Sequence, residues 1–175
     1  DYALSVCPPE ADKIQLRSLW ANYTEASILL AKYEQAEKAL KEHDKINALL
    51  GDITGELNNK KLNGIIQYYR GDTQGAKKNL SAAYELRHKM GDIDHDLTSI
   101  ALYLGLCELR EGMTKEAIQH FHHAREISLH YNFIVTTLEA NKLLAQAFEQ
   151  SKQMDSAYRY YHAYTAIKDS IFRIE

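Results

Sequence analysis

Proline is confined to positions 8 and 9 of this 175-residue chain. Nothing after them carries the ring that removes a helical amide and clashes with the preceding turn, so the chain suits nearly continuous helix. Pro9 reads as a first-turn residue, with residues 1 to 6 the stub of an earlier helix or an ordered tail. Cysteine is as scarce. Cys7 and Cys107 share no metal-ligand spacing and form no disulfide framework, so two unpaired thiols, one of them buried, are expected rather than a bridge. Charge of one sign is also missing: 21 basic against 24 acidic residues leave a net −3, which disfavours direct binding of nucleic acid or anionic lipid. The longest apolar stretch, Ile100 to Cys107, falls far short of the roughly 20 residues a membrane helix needs, so this segment has no membrane span. Four chemical signatures are absent: Gly-x-x-x-x-Gly-Lys, His-Glu-x-x-His, Cys-x-x-Cys and Gly-x-Ser-x-Gly. The expectation is a non-enzymatic protein without a cofactor. Asp1 stands first with no basic-then-apolar leader, so a processed protein or a fragment of a larger one is expected and the compartment stays open.

What the chain does have is a period. Ala36, Ala76, Ala117 and Ala157 lie 40, 41 and 40 residues apart. The fourth residue after each is Leu40, Leu80, Phe121 or Tyr161, the tenth Ile46, Leu86, Ile127 or Ile167, and the fourteenth Leu50, Met90, Tyr131 or Ile171. Offsets of 4, 10 and 14 return to nearly one side of a helix, so one apolar face is written four times. A repeat of this length marks stacked supersecondary units that cannot bury their apolar faces alone.

Turn signals stand at Gly51-Asp52, Gly71-Asp72-Thr73, Gly91-Asp92, Gly112-Met113-Thr114 and around Ser151 to Asp155. In the first four, a glycine able to end one helix in the left-handed conformation precedes an Asp or Thr able to cap the next. The predicted helices run 10–31, 33–50, 53–70, 73–90, 94–111, 114–131, 134–150 and 155–173, each about 25 Å long. They pair into four hairpins, 10–50, 53–90, 94–131 and 134–173, in a single domain over 1–175. Twelve residues before each alanine comes Thr24, Gly64, Gly105 or Ala145. Gly64 and Gly105 sit mid-helix, where glycine costs about 1 kcal/mol relative to alanine, so a close helix contact is expected there.

These residues resemble the tetratricopeptide repeat family. Gly64, Tyr68, Gly71, Ala76, Leu80 and Ala83 match its pattern in the second hairpin, as do Gly105, Leu109, Gly112, Ala117, Phe121 and Ala124 in the third. The outer hairpins depart from it: the first carries Trp20, Thr24, Tyr33, Ala36 and Leu40 but His43 at the last small position, and the fourth carries Ala145, Phe148, Ala157 and Tyr161 but Tyr164 there. The period also exceeds the family's usual 34, giving longer helices. The resemblance implies an all-α fold, a right-handed α-solenoid of about four TPR-like hairpins. The ending, Ala157 to Tyr161 with Tyr164 and Lys168-Asp169-Ser170-Ile171-Phe172, resembles the last repeat of bacterial membrane-linked sensor kinases and regulators.

Three constellations compete with a plain scaffold. His120 and His123 share a helix face near His122 and His130, but the core columns Phe121, Ala124 and Ile127 between them turn the histidines outward as a solvated face, and no metal site is expected. Glu85 and His88 have the spacing of a di-iron bundle but no second copy. Tyr68, Tyr69, Tyr84, Tyr103, Tyr131, Tyr160, Tyr161 and Tyr164 could anchor a peptide. Tyr131, Tyr161 and Tyr164, however, lie on repeat columns and are expected in the core.

The face that lines the concave groove in the resembled family comprises Asn58, Lys61, Ile65 and Tyr68, then Ser99, Leu102, Leu106 and Leu109, then Glu139, Lys142, Gln146 and Glu149. It runs from apolar and mildly basic to polar and acidic, which suits a helical or extended peptide with apolar anchors. Ile65 and Leu106 stand where carboxylate-gripping family members use asparagine, which argues against chaperone-tail recognition. The expected function is protein or peptide binding, as the sensory or interaction part of a bacterial signalling protein. Self-association into a homodimer, or a generic adaptor role, is the alternative.

Overall fold

The computed structural model describes residues 10–91 and 95–172. The readings placed on Cys7, Pro8, Pro9, Asp92 and the first six residues lie outside them. The described residues form eight helices: α1 (Glu10–Leu29), α2 (Tyr33–Leu50), α3 (Ile53–Arg70), α4 (Thr73–Met90), α5 (His95–Arg110), α6 (Thr114–His130), α7 (Ile134–Gln150) and α8 (Met154–Phe172). Every end lies within two residues of the sequence reading. The largest overshoot is at α1, because Ala31 takes a left-handed φ of 55° and breaks the helix without a glycine.

The turn after α3 shows why its residues were chosen. Gly71 adopts φ 88°, its amide reaches back to Gln67 and Tyr68, and the Asp72 amide bonds the Gln67 carbonyl at 2.9 Å. The Asp72 carboxylate then accepts from the Gly75 amide at 2.9 Å, capping α4. Three other turns reach the left-handed region without glycine, at Ala31, Asn132 and Lys152.

The described residues fall into two compact units, one ending at Leu86 and the other beginning at Arg87. In the first, α1 packs on α2 and α3 packs on both. Arg17 ties them together: its guanidinium donates to Asp52 at 2.6 Å and to Asn47 at 3.1 Å, and Asp52 accepts from the Gly55 amide as the cap of α3. In the second unit, α5 pairs with α6 and α7 with α8, and α7 lies against both α5 and α6.

The alanine column is core throughout: Ala36, Ala76 and Ala117 have no exposed surface and Ala157 is buried. The mid-helix glycines are the expected notches. A Cβ on Gly64 would stand 2.6 Å from Leu80, and one on Gly105 would stand 2.5 Å from Phe121, so each first helix receives the bulky residue of its own second helix. Cys107 is fully buried.

Two expectations are corrected. The fourteenth-residue column is not core, since Tyr131 and Ile171 are exposed; that offset falls at the helix end, where Tyr131 serves as the C-cap of α6. Tyr161 is also exposed and Tyr164 is half-buried, because among the described residues no helix covers that side of α8. His43 occupies the small-residue position yet is fully buried, and neither ring nitrogen has a hydrogen-bond partner.

Candidate binding cleft

In the first unit the expected groove face is largely consumed by packing. Lys61 is buried and ion-paired to Glu25 at 2.8 Å, Ile65 and Tyr68 are buried, and Asn58 alone keeps partial exposure. Tyr68 meets Tyr69 edge-on at 5.4 Å, and Tyr69 stacks on Tyr33 at 5.3 Å. Arg70 lies over the Tyr33 ring and reaches Glu37 at 3.1 Å.

In the second unit Leu102 is buried, while Ser99, Leu106 and Leu109 are half-buried. Glu139 pairs with Lys142 at 3.2 Å. Lys142, Gln146 and Glu149 come together on one wall of a cleft of about 730 Å3 between α7 and α8. Its floor is Ala145 and Ala157, and its other wall is Met154, Tyr158, Tyr161, Tyr164 and Lys168. Tyr158 is 71% exposed and Tyr161 58%, and the two rings at Tyr161 and Tyr164 lie 6.1 Å apart. Two small floor residues make the depth, and the tyrosines give broad faces with polar tips.

Of the expected groove residues, Lys142, Gln146 and Glu149 line this cleft, whereas Met154, Tyr158, Tyr161, Tyr164 and Lys168 on its other wall were not among them. Tyr158 falls outside the repeat columns, and Tyr161 and Tyr164 sit on columns that are core in the third hairpin. Their equivalents there, Phe121 and Ala124, are fully buried. A second, more apolar cleft of about 440 Å3 lies between the α6–α7 turn and the end of α8, lined by Leu129, Ile134, Ile167 and Ile171 among others.

The histidines are not a solvated face. His120 bonds Glu108 through Nδ1 at 2.7 Å, and Glu108 is buried. His122 packs edge-on to Tyr160 at 5.4 Å, Tyr160 stacks on Phe148 at 5.5 Å, and Arg125 covers the Tyr160 ring. His123 stacks with His88 at 6.4 Å. Burial, reinforced by Arg125 and opposed by Glu126, holds the His122 pKa below its ordinary value. Burial and the neighbouring His88 do the same at His123. The outward assignment failed because α4, α5, α7 and α8 all contribute side chains to what looked, on α6 alone, like a free surface. Among the described residues no group of three His, Cys, Asp or Glu is placed to hold a metal ion, and no helix is long and apolar enough to cross a membrane.

No protein-family profile and no curated protein sequence matches the chain. Solved structures do. A signal transduction ATPase with numerous domains (STAND) from Pyrococcus horikoshii, described as having a tetratricopeptide repeat sensor, aligns over 90% of this chain with a TM-score of 0.68 and 20% identity. Aspartyl phosphate phosphatase F from Bacillus subtilis aligns over 91% with a TM-score of 0.76 and 14% identity.

The fold is tetratricopeptide-like.

At these identities the likeness concerns the backbone course alone. The chain spans 25% of the first protein and 42% of the second. In TPR-like terms, the cleft is the side of the last hairpin on which a further first helix would pack. The third hairpin shows that arrangement filled: α7 lies there, with Thr137 bonding Ser128 at 2.9 Å and Asn141 accepting from Arg125 at 2.7 Å.

Proposed function

We propose that this chain is one TPR-like scaffold, without catalytic activity, that binds a protein or peptide as the sensory or interaction part of a larger bacterial signalling protein. The observation that carries the reading is the α7–α8 cleft, where exposed tyrosines, a thin alanine floor and flanking lysine and glutamate converge. Aromatic walls supply contact area at small entropic cost, and the polar rim fixes orientation. Lys142, Gln146 and Glu149 then hold the partner from α7, with Glu139 orienting Lys142. On α5, Ser99, Leu106 and Leu109 keep partial exposure, while Leu102 is buried. Asn58, Lys61, Ile65 and Tyr68 are the corresponding residues of the first unit. The signalling assignment draws support from the two structural relatives, one a signal-transduction ATPase with a tetratricopeptide repeat sensor and the other an aspartyl phosphate phosphatase.

Selection of a random peptide library on the purified chain tests the reading. Enriched peptides that no longer bind a Tyr158→Ala/Tyr161→Ala variant support it. Failure to enrich any sequence, or enrichment indifferent to those substitutions, overturns the assignment of the cleft.

A further inference from the structure

We infer that the α7–α8 cleft takes a second copy of itself, so that two chains associate through their last hairpins. This rests on the reading of the cleft as a protein-binding site and fixes its partner. The argument is the distribution of charge along the cleft. Glu149 lines it near the α7–α8 turn, beside Met154, whereas Lys142 and Lys168 line it towards the other end. Lys168 is 14 residues along α8 from Met154, about 21 Å away at 1.5 Å per residue. Among the described residues Lys142 is paired to Glu139, Glu149 has no ion-pair partner, and Lys168 meets only the ring of Tyr164, at 5.9 Å, so the charge difference between the two ends is that of Glu149 and Lys168.

A surface acidic at one end and basic at the other is complementary to itself after a two-fold rotation about an axis across the helices. An isologous interface demands that property, because each patch must meet its own copy. Running antiparallel, each α8 brings its Lys168 end over the partner's Glu149 end. Tyr158 and Tyr161, which project from the shared middle, then cover the opposing alanine floor. The equivalent face of the third hairpin is already occupied within the chain by α7. There Leu102, Phe121, Ala124 and Ser128 stand at the positions of Lys142, Tyr161, Tyr164 and Lys168, and all four are buried. The last hairpin replaces apolar or small residues with tyrosine and lysine, residue types that tolerate water when the copies separate.

Sedimentation of the purified 175-residue chain between about 1 and 200 µM reads the association, a range suited to a small reversible interface. A concentration-dependent monomer–dimer equilibrium is expected. Lys168→Glu sets a glutamate at each end of the cleft and Glu149→Lys a lysine at each end, so each variant alone is expected to dimerise at least about tenfold more weakly. An equimolar mixture of the two is expected to form heterodimers, with helical content by circular dichroism unchanged in both. Tyr161→Ser is expected to weaken association without any charge change. A monomer throughout, charge variants that dimerise as well as the parent, or a mixture that stays monomeric overturns the inference. A monomeric chain that still selects peptides through Tyr158 and Tyr161 fails here while leaving the proposed function standing. A dimer broken by the charge variants that selects no peptide confines the cleft to its own copy and removes the wider peptide reading.

Discussion

Gly105 lies directly under the ring of Phe121: a Cβ built on the glycine would stand 2.5 Å from Cε1 and 2.8 Å from Cδ1. Phe121 has no exposed surface, so its ring has no solvent side to retreat to. Gly105→Ala gains helix propensity worth about 1 kcal/mol yet forces that ring to move, and overpacking of this kind costs about 1–3 kcal/mol. A lower urea midpoint for Gly105→Ala is expected. Adding Phe121→Leu should return part of the loss, and a double-mutant cycle that proves additive would show the two residues to be uncoupled.

Asp52 serves two partners, the Gly55 amide at 2.8 Å and the Arg17 guanidinium at 2.6 Å. Against the burial that would raise its pKa, these bonds hold it below the ordinary carboxylate value. A depressed folded pKa means stability that is present above the unfolded pKa of about 4 and lost as pH falls through the folded value. Asp52→Ala removes a helix cap, worth about 0.5–2 kcal/mol, and leaves the buried Arg17 without its carboxylate. Urea midpoints at pH 7 should therefore separate the parent from Asp52→Ala clearly. At pH 3 the gap should narrow; a constant gap would show that the charge of Asp52 contributes nothing.

His122 packs edge-on against both rings of the Tyr160–Phe148 stack, with its pKa lowered mainly by burial. For a histidine with a depressed folded pKa, the neutral form is favoured on folding. Its stabilising effect is complete above the unfolded value of about 6.5 and is lost as pH falls below it. His123 acts in the same direction. Stability should fall between pH 7.5 and pH 5.5, and His122→Phe, which keeps an aromatic ring against Tyr160, should shallow that slope. Equal slopes in parent and variant would remove His122 as a contributor.

The helices and their pairing were legible because they rest on local chemistry. Gly71 and Asp72 announce a turn through φ and capping, and Ala76, Leu80, Gly64 and Gly105 announce a seam through size alone, whatever surrounds them. Burial at the ends of the series is another matter. Phe121 and Tyr161 occupy equivalent positions, and so do Ala124 and Tyr164, yet the first of each pair is buried and the second is not. Whether a column is core depends on a neighbouring hairpin, which the column does not encode. The histidines of α6 misled for the mirror-image reason: one helix shows them facing away from its own core, while Glu108, Tyr160 and His88 come from other helices.

The sequence by itself determined eight helices, their pairing in hairpins and the notches at Gly64 and Gly105, since period, propensity and side-chain volume act over a few residues or recur at a fixed spacing. Only the tertiary structure decided that Lys61 and Tyr68 are buried in packing, that three histidines are half-enclosed, and that Tyr158, Tyr161 and Tyr164 wall an open cleft with Lys168. Solvent exposure is a property of everything that packs around a side chain, and it comes into being when distant segments meet.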